Sequence, residues 1–270
     1  MLVDAHTHVW GHELLDAPWL RADAAAGIRR PFGIQQLEHE LDLAGVDRAV
    51  LVAAEETAAG DRRLLEVASR SERIGAVVGS VDPFAPGAQE RVALLRNAPG
   101  GELLRGVRVS AVGADAEGWA SRDVTTAFAA LRDLGLVVEV LADEGALPAL
   151  AAVGRAVPGL TVVVDHLGGP TPGGLRDCWR TGIRELAAVD GAHLKVSGDA
   201  VFAADLPEML ATVGDAFGPS RLMAGSDWPV STLHGGGAWR RLVEATSPGS
   251  RDERALLLGG TAARVYGIAA

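Results

Sequence analysis

Short apolar runs alternate with longer amphipathic stretches along the chain, and the rhythm repeats with little interruption. The runs rich in β-branched and small apolar residues cover 2–8 (LVDAHTH), 48–54 (RAVLVAA), 74–82 (IGAVVGSVD), 104–110 (LRGVRVS), 136–142 (LVVEVLA), 160–168 (LTVVVDHLG), 192–198 (AHLKVSG) and 221–229 (RLMAGSDWP). Between them, apolar positions recur at helical spacing in QQLEHELDLAG, RRLLEVASRSER, VTTAFAALRDLG and LPALAAVGRAV. Many of these stretches end in Gly or Pro, the usual C-terminal punctuation. A last helical stretch runs from about Asp252 to Tyr266. Strands alternating with helices in this way predict an α/β fold, a single-domain (β/α)8 TIM barrel over residues 1–270. Largely apolar strands such as TVVV and VVEVL suit parallel strands covered on both sides. A doubly wound open sheet is the alternative, and the count of strands favours the closed ring.

The spacing is uneven in one place. Predicted strands start 24 to 32 residues apart, except that the first two starts, at 2 and 48, are 46 apart. The excess is Trp10 to Gly33, and a connection that long in a compact domain is usually functional or disordered. Its tryptophans, Trp10 and Trp19, predict ordered packing, and hence a lid over the C-terminal face of the barrel.

In such barrels the chemistry sits at the C-terminal ends of the strands. Reactive residues fall there. Strand 1 ends in His6 and His8, which alternation points to one face about 7 Å apart along the chain. Strand 4 carries Arg108, strand 6 ends in Asp165-His166, strand 7 carries Lys195 and Ser197, and strand 8 ends in GSDWP with Asp227. A charge that interrupts an apolar run is costly unless paired or bound. Each residue has a plainer reading: His166 bonding a loop carbonyl, Arg108 in a structural ion pair, Lys195 snorkelling to solvent, Asp227 capping a turn. Convergence on one pole favours a functional site. His234 lies on the same face and within reach of substrate. His39 belongs on a helix surface, His12 in the lid, and His193 at the opposite end of its strand.

Composition narrows the classes. The chain is 48% hydrophobic and 22% charged with net charge −10, a globular composition without a basic face for nucleic acid or an anionic membrane. The single cysteine, Cys178, excludes an internal disulfide and a thiolate metal cluster, and is expected to be a buried bystander. No apolar run reaches the ~18 residues of a membrane span, and the N-terminus goes directly into VDAHTH, so a cytoplasmic location is expected. The expected partner is a small-molecule substrate. Self-association into a homo-oligomer stays open.

The combination DAHTHVW, DAPWL, GVRVS, VVDHLGGP, LKVSG, LMAGSDWPV and GTAARVYGI resembles the amidohydrolase superfamily. Within it the chain is similar to the amidohydrolase-related group that holds fuconolactonase- and rhamnonolactonase-like sugar lactonases and the pyrone dicarboxylate lactonase. The resemblance implies a core site of His6, His8, His166 and Asp227, with Arg108 and Lys195 orienting substrate. Many superfamily members carry a bridging Lys or Glu on strand 4 and a His on strand 5. Here those strands offer Arg108, which cannot be a ligand, and Glu139, so a binuclear centre is not expected. Two options remain: one divalent ion, zinc by preference, on His6, His8 and Asp227, or no metal.

The implied reaction is opening of a sugar-acid lactone or similar cyclic ester. Asp227 would act as general base, and His166 would polarise the carbonyl or shuttle the proton. Zinc would lower the pKa of its water toward ~7; without it the imidazoles would donate to the carbonyl directly. Arg108 would fork onto a carboxylate or hydroxyl pair, and Trp10 and Trp228 offer flat faces to a sugar or plug the mouth of the barrel. The alternative is a metal-dependent decarboxylase of the same group, which would want a ligating His on strand 5.

Overall fold

The computed structural model describes residues 1–113, 116–119, 121–170, 177–246 and 249–269. Eight parallel strands form one sheet in sequential order: β1 (Val3–Thr7), β2 (Arg48–Val52), β3 (Ile74–Gly79), β4 (Leu104–Ser110), β5 (Val137–Leu141), β6 (Val162–Val164), β7 (Ala192–Val196) and β8 (Leu222–Ala224). The ring closes just beyond β8, where Trp228 bridges Thr7 in parallel. There His8 N donates to Trp228 O at 2.7 Å and Asp227 N to His6 O at 2.9 Å. Helices follow the strands, among them Ile34–Ala44, Ala58–Ala68, Leu147–Ala156 and Ala238–Ala245. The expected (β/α)8 barrel is the observed fold.

The apolar residues divide into two layers. One packs the outer faces of the strands against the helices, for example Leu51, Leu65, Val107, Phe128, Leu150 and Trp179. The other fills the ring with small residues, Val3, Ala5, Val50, Val52, Ala76, Val78 and Val163, closed by Tyr266 and Ile268 from the C-terminal segment. Burying each such Val, Leu or Phe contributes about 1.5–3 kcal/mol.

β1 carries a bulge. Asp4 pairs with Ala49 but Thr7 with Leu51, so β1 spends one residue more than β2 between the two pairings. An extra residue reverses the inward parity. Val3 and Ala5 face the barrel interior below the bulge, and the His6 ring faces the buried side chains of β5, β6 and β7 above it. The Asp4 carboxylate occupies the irregularity, its Oδ1 accepting from Ser226 N at 2.8 Å and His6 N at 3.2 Å.

Several boundaries differ from the sequence expectation. β6 and β8 are three residues each rather than nine, because the backbone turns at Asp165 and at Gly225 to present the site. The helix expected through Arg73 ends at Ala68. The last one is interrupted by a wide turn at Leu256–Gly260 before Thr261–Tyr266. Cys178 is exposed, not buried: its helix turns Trp179, Ile183 and Leu186 inward, leaving Cys178 on the outer side. The stretch from Trp10 to Gly33 is ordered over the mouth. Trp10 and Phe32 exchange backbone hydrogen bonds at 2.9 Å, Leu20 and Ile28 are buried, and Asp23–Ile28 lies against Val230–His234 beyond β8. Among the described residues no helix is long and apolar enough to cross a membrane.

Candidate active site

Three donor atoms meet at the mouth of the barrel. His6 Nε2 lies 3.2 Å from His8 Nε2, His8 Nε2 lies 3.3 Å from Asp227 Oδ1, and His6 Nε2 lies 3.7 Å from the same oxygen. A tetrahedral zinc with bonds of about 2.0–2.2 Å needs donors about 3.3–3.5 Å apart. The three separations lie within a few tenths of an ångström of that range, so the donors are spaced to hold one ion. The chemistry of the donors agrees. His8 Nδ1 is 2.8 Å from Val52 O, and a carbonyl only accepts, so Nδ1 carries the proton and Nε2 turns a lone pair to the triangle.

His166 completes the constellation, its ring centroid 4.7 Å from that of His6 and its Nδ1 2.9 Å from Ser197 Oγ. Two of these four residues sit in left-handed backbone: φ is 52° at His166 and 57° at Asp227, and Leu167 is the one other described non-glycine residue there. Each costs of order 1–3 kcal/mol and persists only where the surroundings impose it. Glycines make room beside them. A Cβ on Gly198 would stand 2.7 Å from His166 Cγ, and one on Gly225 would stand 2.6 Å from His6 Cβ.

Electrostatics set the protonation. Burial, then the Lys195 ammonium, holds His6 well below the ordinary histidine pKa of 6.5, so its ring is neutral. Burial alone would raise Asp227, but the imidazoles around it, His166 foremost, bring it down to about 2. The site thus holds an ionised carboxylate among imidazoles.

Below the imidazoles lies a sealed ionic cluster. Lys195 Nζ is 2.6 Å from Glu139 Oε1, 3.4 Å from Asp165 Oδ1 and 3.1 Å from His6 Nδ1. Asp165 Oδ1 is itself 3.2 Å from His6 Nδ1, and Tyr266 donates its hydroxyl to Glu139 Oε2 at 2.7 Å. Burial and the neighbouring Asp165 push Glu139 up to about 7, against the pull of Lys195 and Tyr266. Burial would also raise Asp165, yet Lys195 and His6 hold it well below the carboxylate range.

The expectation that Lys195 orients substrate is corrected here. Its side chain is 0% exposed and stands beneath His6, on the far side from the mouth. Arg108 is half-buried and donates to Ala53 O at 2.7 Å across the ends of β4 and β2. Trp10 donates its indole N–H to Arg30 O at 2.8 Å and packs edge-on against Phe32, which packs edge-on against Trp228. Both tryptophans are buried and tie the lid to the end of β8. Trp10 also lines a cleft of about 510 Å³ with Val9, Phe32, Ala53 and Leu64. His234 is exposed, 2.8 Å from Asp199 Oδ1 and stacked on Phe202, apart from the triangle. His193 is buried beside Arg264, at the other end of β7.

Sequence reasoning left Asp4, Asp165, Glu139 and Tyr266 without roles. Asp165 and Glu139 interrupt apolar strands, a signal that each needs a partner. Neither partner is sequence-local: Tyr266 is 127 positions from Glu139.

Two curated relatives are L-fucono-1,5-lactonases. The one from Burkholderia ambifaria is 36% identical, with 98% of this chain and 95% of that protein covered. The one from Burkholderia multivorans is 37% identical over 98% and 96%. A crystal structure of an amidohydrolase from Burkholderia multivorans with bound zinc superimposes with a TM-score of 0.89 at 30% identity, covering both chains completely. The amidohydrolase family model matches residues 3–268, and the chain belongs to the amidohydrolase family.

Proposed function

We propose that this protein is a hydrolase that opens a sugar-acid lactone, with an L-fuconolactone-like 1,5-lactone as the first substrate to test. The observation that carries the reading is the triangle of His6 Nε2, His8 Nε2 and Asp227 Oδ1, sides 3.2, 3.3 and 3.7 Å, beside His166. The near full-length similarity to two fuconolactonases supports the choice of ester.

A divalent ion, zinc by preference, would be held by His6, His8 and Asp227, and would supply an acidified water and a polarised carbonyl. The rest is done by side chains. Asp227, ionised at neutral pH, takes the proton of the attacking water as its oxygen bonds to the lactone carbonyl carbon. When the ring C–O bond breaks, that proton passes to the departing alkoxide, and the product is an open hydroxy acid. His166, fixed through Nδ1 by Ser197, turns its other ring nitrogen to the carbonyl oxygen as donor. Arg108, at the mouth on β4, holds substrate hydroxyls. The decarboxylase alternative is weakened by β5, where Glu139 is committed to Lys195 and Tyr266 and offers no imidazole.

The test is acid release from aldonolactones by the purified protein, with its metal content measured before and after chelation. Turnover that is lost with about one zinc per chain and returns with added zinc supports the metal-dependent reading. Full turnover after chelation selects imidazole donors alone. Asp227→Asn is expected to reduce kcat by about 10²–10⁴-fold with an unchanged circular dichroism spectrum; unaltered turnover removes Asp227 from the mechanism.

A further inference from the structure

The connection after β8 ends in three successive glycines, Gly235, Gly236 and Gly237, at φ 85°, 77° and 76°, and runs directly into the helix Ala238–Ala245. That helix starts without a side-chain cap. Among the described residues no acceptor meets the backbone N–H groups of Gly237, Ala238, Trp239 and Arg240, the orphan donors of a helix start. The Arg240 guanidinium folds back over them, its Nη2 lying 3.9 Å from where a Cβ on Gly237 would stand. It makes no ion pair among the described residues. Free N–H groups, the positive end of the helix dipole and a guanidinium in one place favour an anion.

This helix start opens into a cavity of about 560 Å³ between it and the helix Ile34–Ala44, behind the closure of β1 on β8. None of His6, His8, His166 and Asp227 lines it, so it is separate from the triangle. Two buried side chains on its wall have polar groups left over. Ser231 is 5% exposed, and its hydroxyl has no partner among the described residues. Trp239 is 6% exposed, and its indole N–H has none. Buried donors without acceptors are costly, and an occupant that accepts from them recovers the loss. Across from them the charge reverses. Asp4 lies at the floor, its Oδ1 taken by Ser226 N and His6 N, and Glu40 stands at the rim. Leu37, Leu41 and Trp228 supply apolar wall.

We propose that this cavity binds a small polyhydroxy carboxylate: the carboxylate sits on the start of the helix Ala238–Ala245 with Arg240 and Ser231, and the hydroxyls donate to Asp4 and Glu40. The C–H face of the chain lies along Leu37, Leu41 and Trp228. A simple anion would leave the two acidic groups unmatched, and a neutral polyol would leave the helix start unmatched. An amino acid would bring an ammonium to the buried floor, where stripping its hydration costs far more than desolvating a hydroxyl. Binding is read without turnover, so its outcome is independent of the reading under Proposed function.

D-gluconate titrated into the ¹⁵N-labelled protein is the test. It is expected to shift the Gly236 and Gly237 amide resonances and the Trp239 indole resonance saturably. Acetate and sorbitol, each with half of its groups, are expected to bind about 10-fold more weakly. Arg240→Glu is expected to weaken gluconate binding about 10-fold and Ser231→Ala several-fold, with unchanged circular dichroism spectra. Gluconate that leaves those resonances in place overturns the proposal, and this arm needs no variant to fold. Acetate or sorbitol that binds as tightly as gluconate also overturns it, since one half of the cavity then has no role. L-serine that binds more tightly does the same by making the ligand an amino acid. Parental gluconate affinity in both folded variants places the acid elsewhere and overturns the proposal as well.

Discussion

At the residue scale, the site depends on side chains held in conformations they would not choose. His166 and Asp227 both sit at positive φ, and Gly198, at φ 71°, leaves the space that the His166 ring fills. Gly198→Ala is expected to cost about 1–3 kcal/mol in urea unfolding and to lower kcat several-fold by displacing that ring. A variant with parental stability and turnover would show that the close approach is relaxed in solution. Lys195 is of a different kind. Buried among Glu139, Asp165 and His6, it cannot be removed cheaply: Lys195→Ala leaves two carboxylates facing each other and is expected to destabilise by about 3–5 kcal/mol. His6 and His8 were legible as a pair because alternation keeps residues two apart on one face. Lys195 was legible as a polar residue at the right strand but not as a buried one, since depth within a barrel depends on where its strand starts.

At the scale of elements, the bulge in β1 decides which residues the strand presents. Without the extra residue between Asp4 and Thr7, the parity that places Val3 and Ala5 inside would turn His6 to the helices. Asp4 secures this irregularity by accepting from the backbone N–H of both His6 and Ser226, joining β1 to β8 where His6 and Asp227 must meet. Asp4→Ala leaves two buried donors unsatisfied and is expected to cost about 2–4 kcal/mol. Asp4→Asn retains the accepting oxygen and is expected to keep most of the stability and the activity. Equal losses in the two variants, measured by urea unfolding and lactone turnover, would assign the role to the negative charge and not to the acceptor. The lid was legible as an ordered segment from Trp10 and Trp19. Its attachment through Phe32 to Trp228 was not, because those two residues are brought together only by the closure of the ring.

At the scale of the whole molecule, buried neutral imidazoles make stability depend on pH. His193, at the N-terminal end of β7, is lowered to about 4, chiefly by burial and then by Arg264 and Arg221. The unfolded chain binds a proton there near pH 6.5 while the folded one does not until about pH 4, so the unfolded state binds more protons in between. Stability therefore falls as pH drops through that window and levels off below it. The contribution is about 3 kcal/mol at most, and His6 acts in the same direction. His193→Gln is expected to lose less Tm than the parent between pH 7 and pH 4. Parallel melting curves would place that proton elsewhere.

The chain's own pattern was sufficient for the barrel, since eight apolar runs separated by amphipathic helices leave few other ways to bury both faces of a parallel sheet. It was sufficient too for the pole at which His6, His8, His166 and Asp227 assemble, because strand ends are local features of sequence. Which of the polar residues face solvent and which lie sealed beneath them was settled only by the closed ring. Glu139, Asp165, Lys195 and Tyr266 come from β5, the turn after β6, β7 and the last helix, and each is tolerable in an apolar interior only in the company of the others. Such mutual compensation is a property of distances between remote segments, and periodicity along one chain carries no record of it.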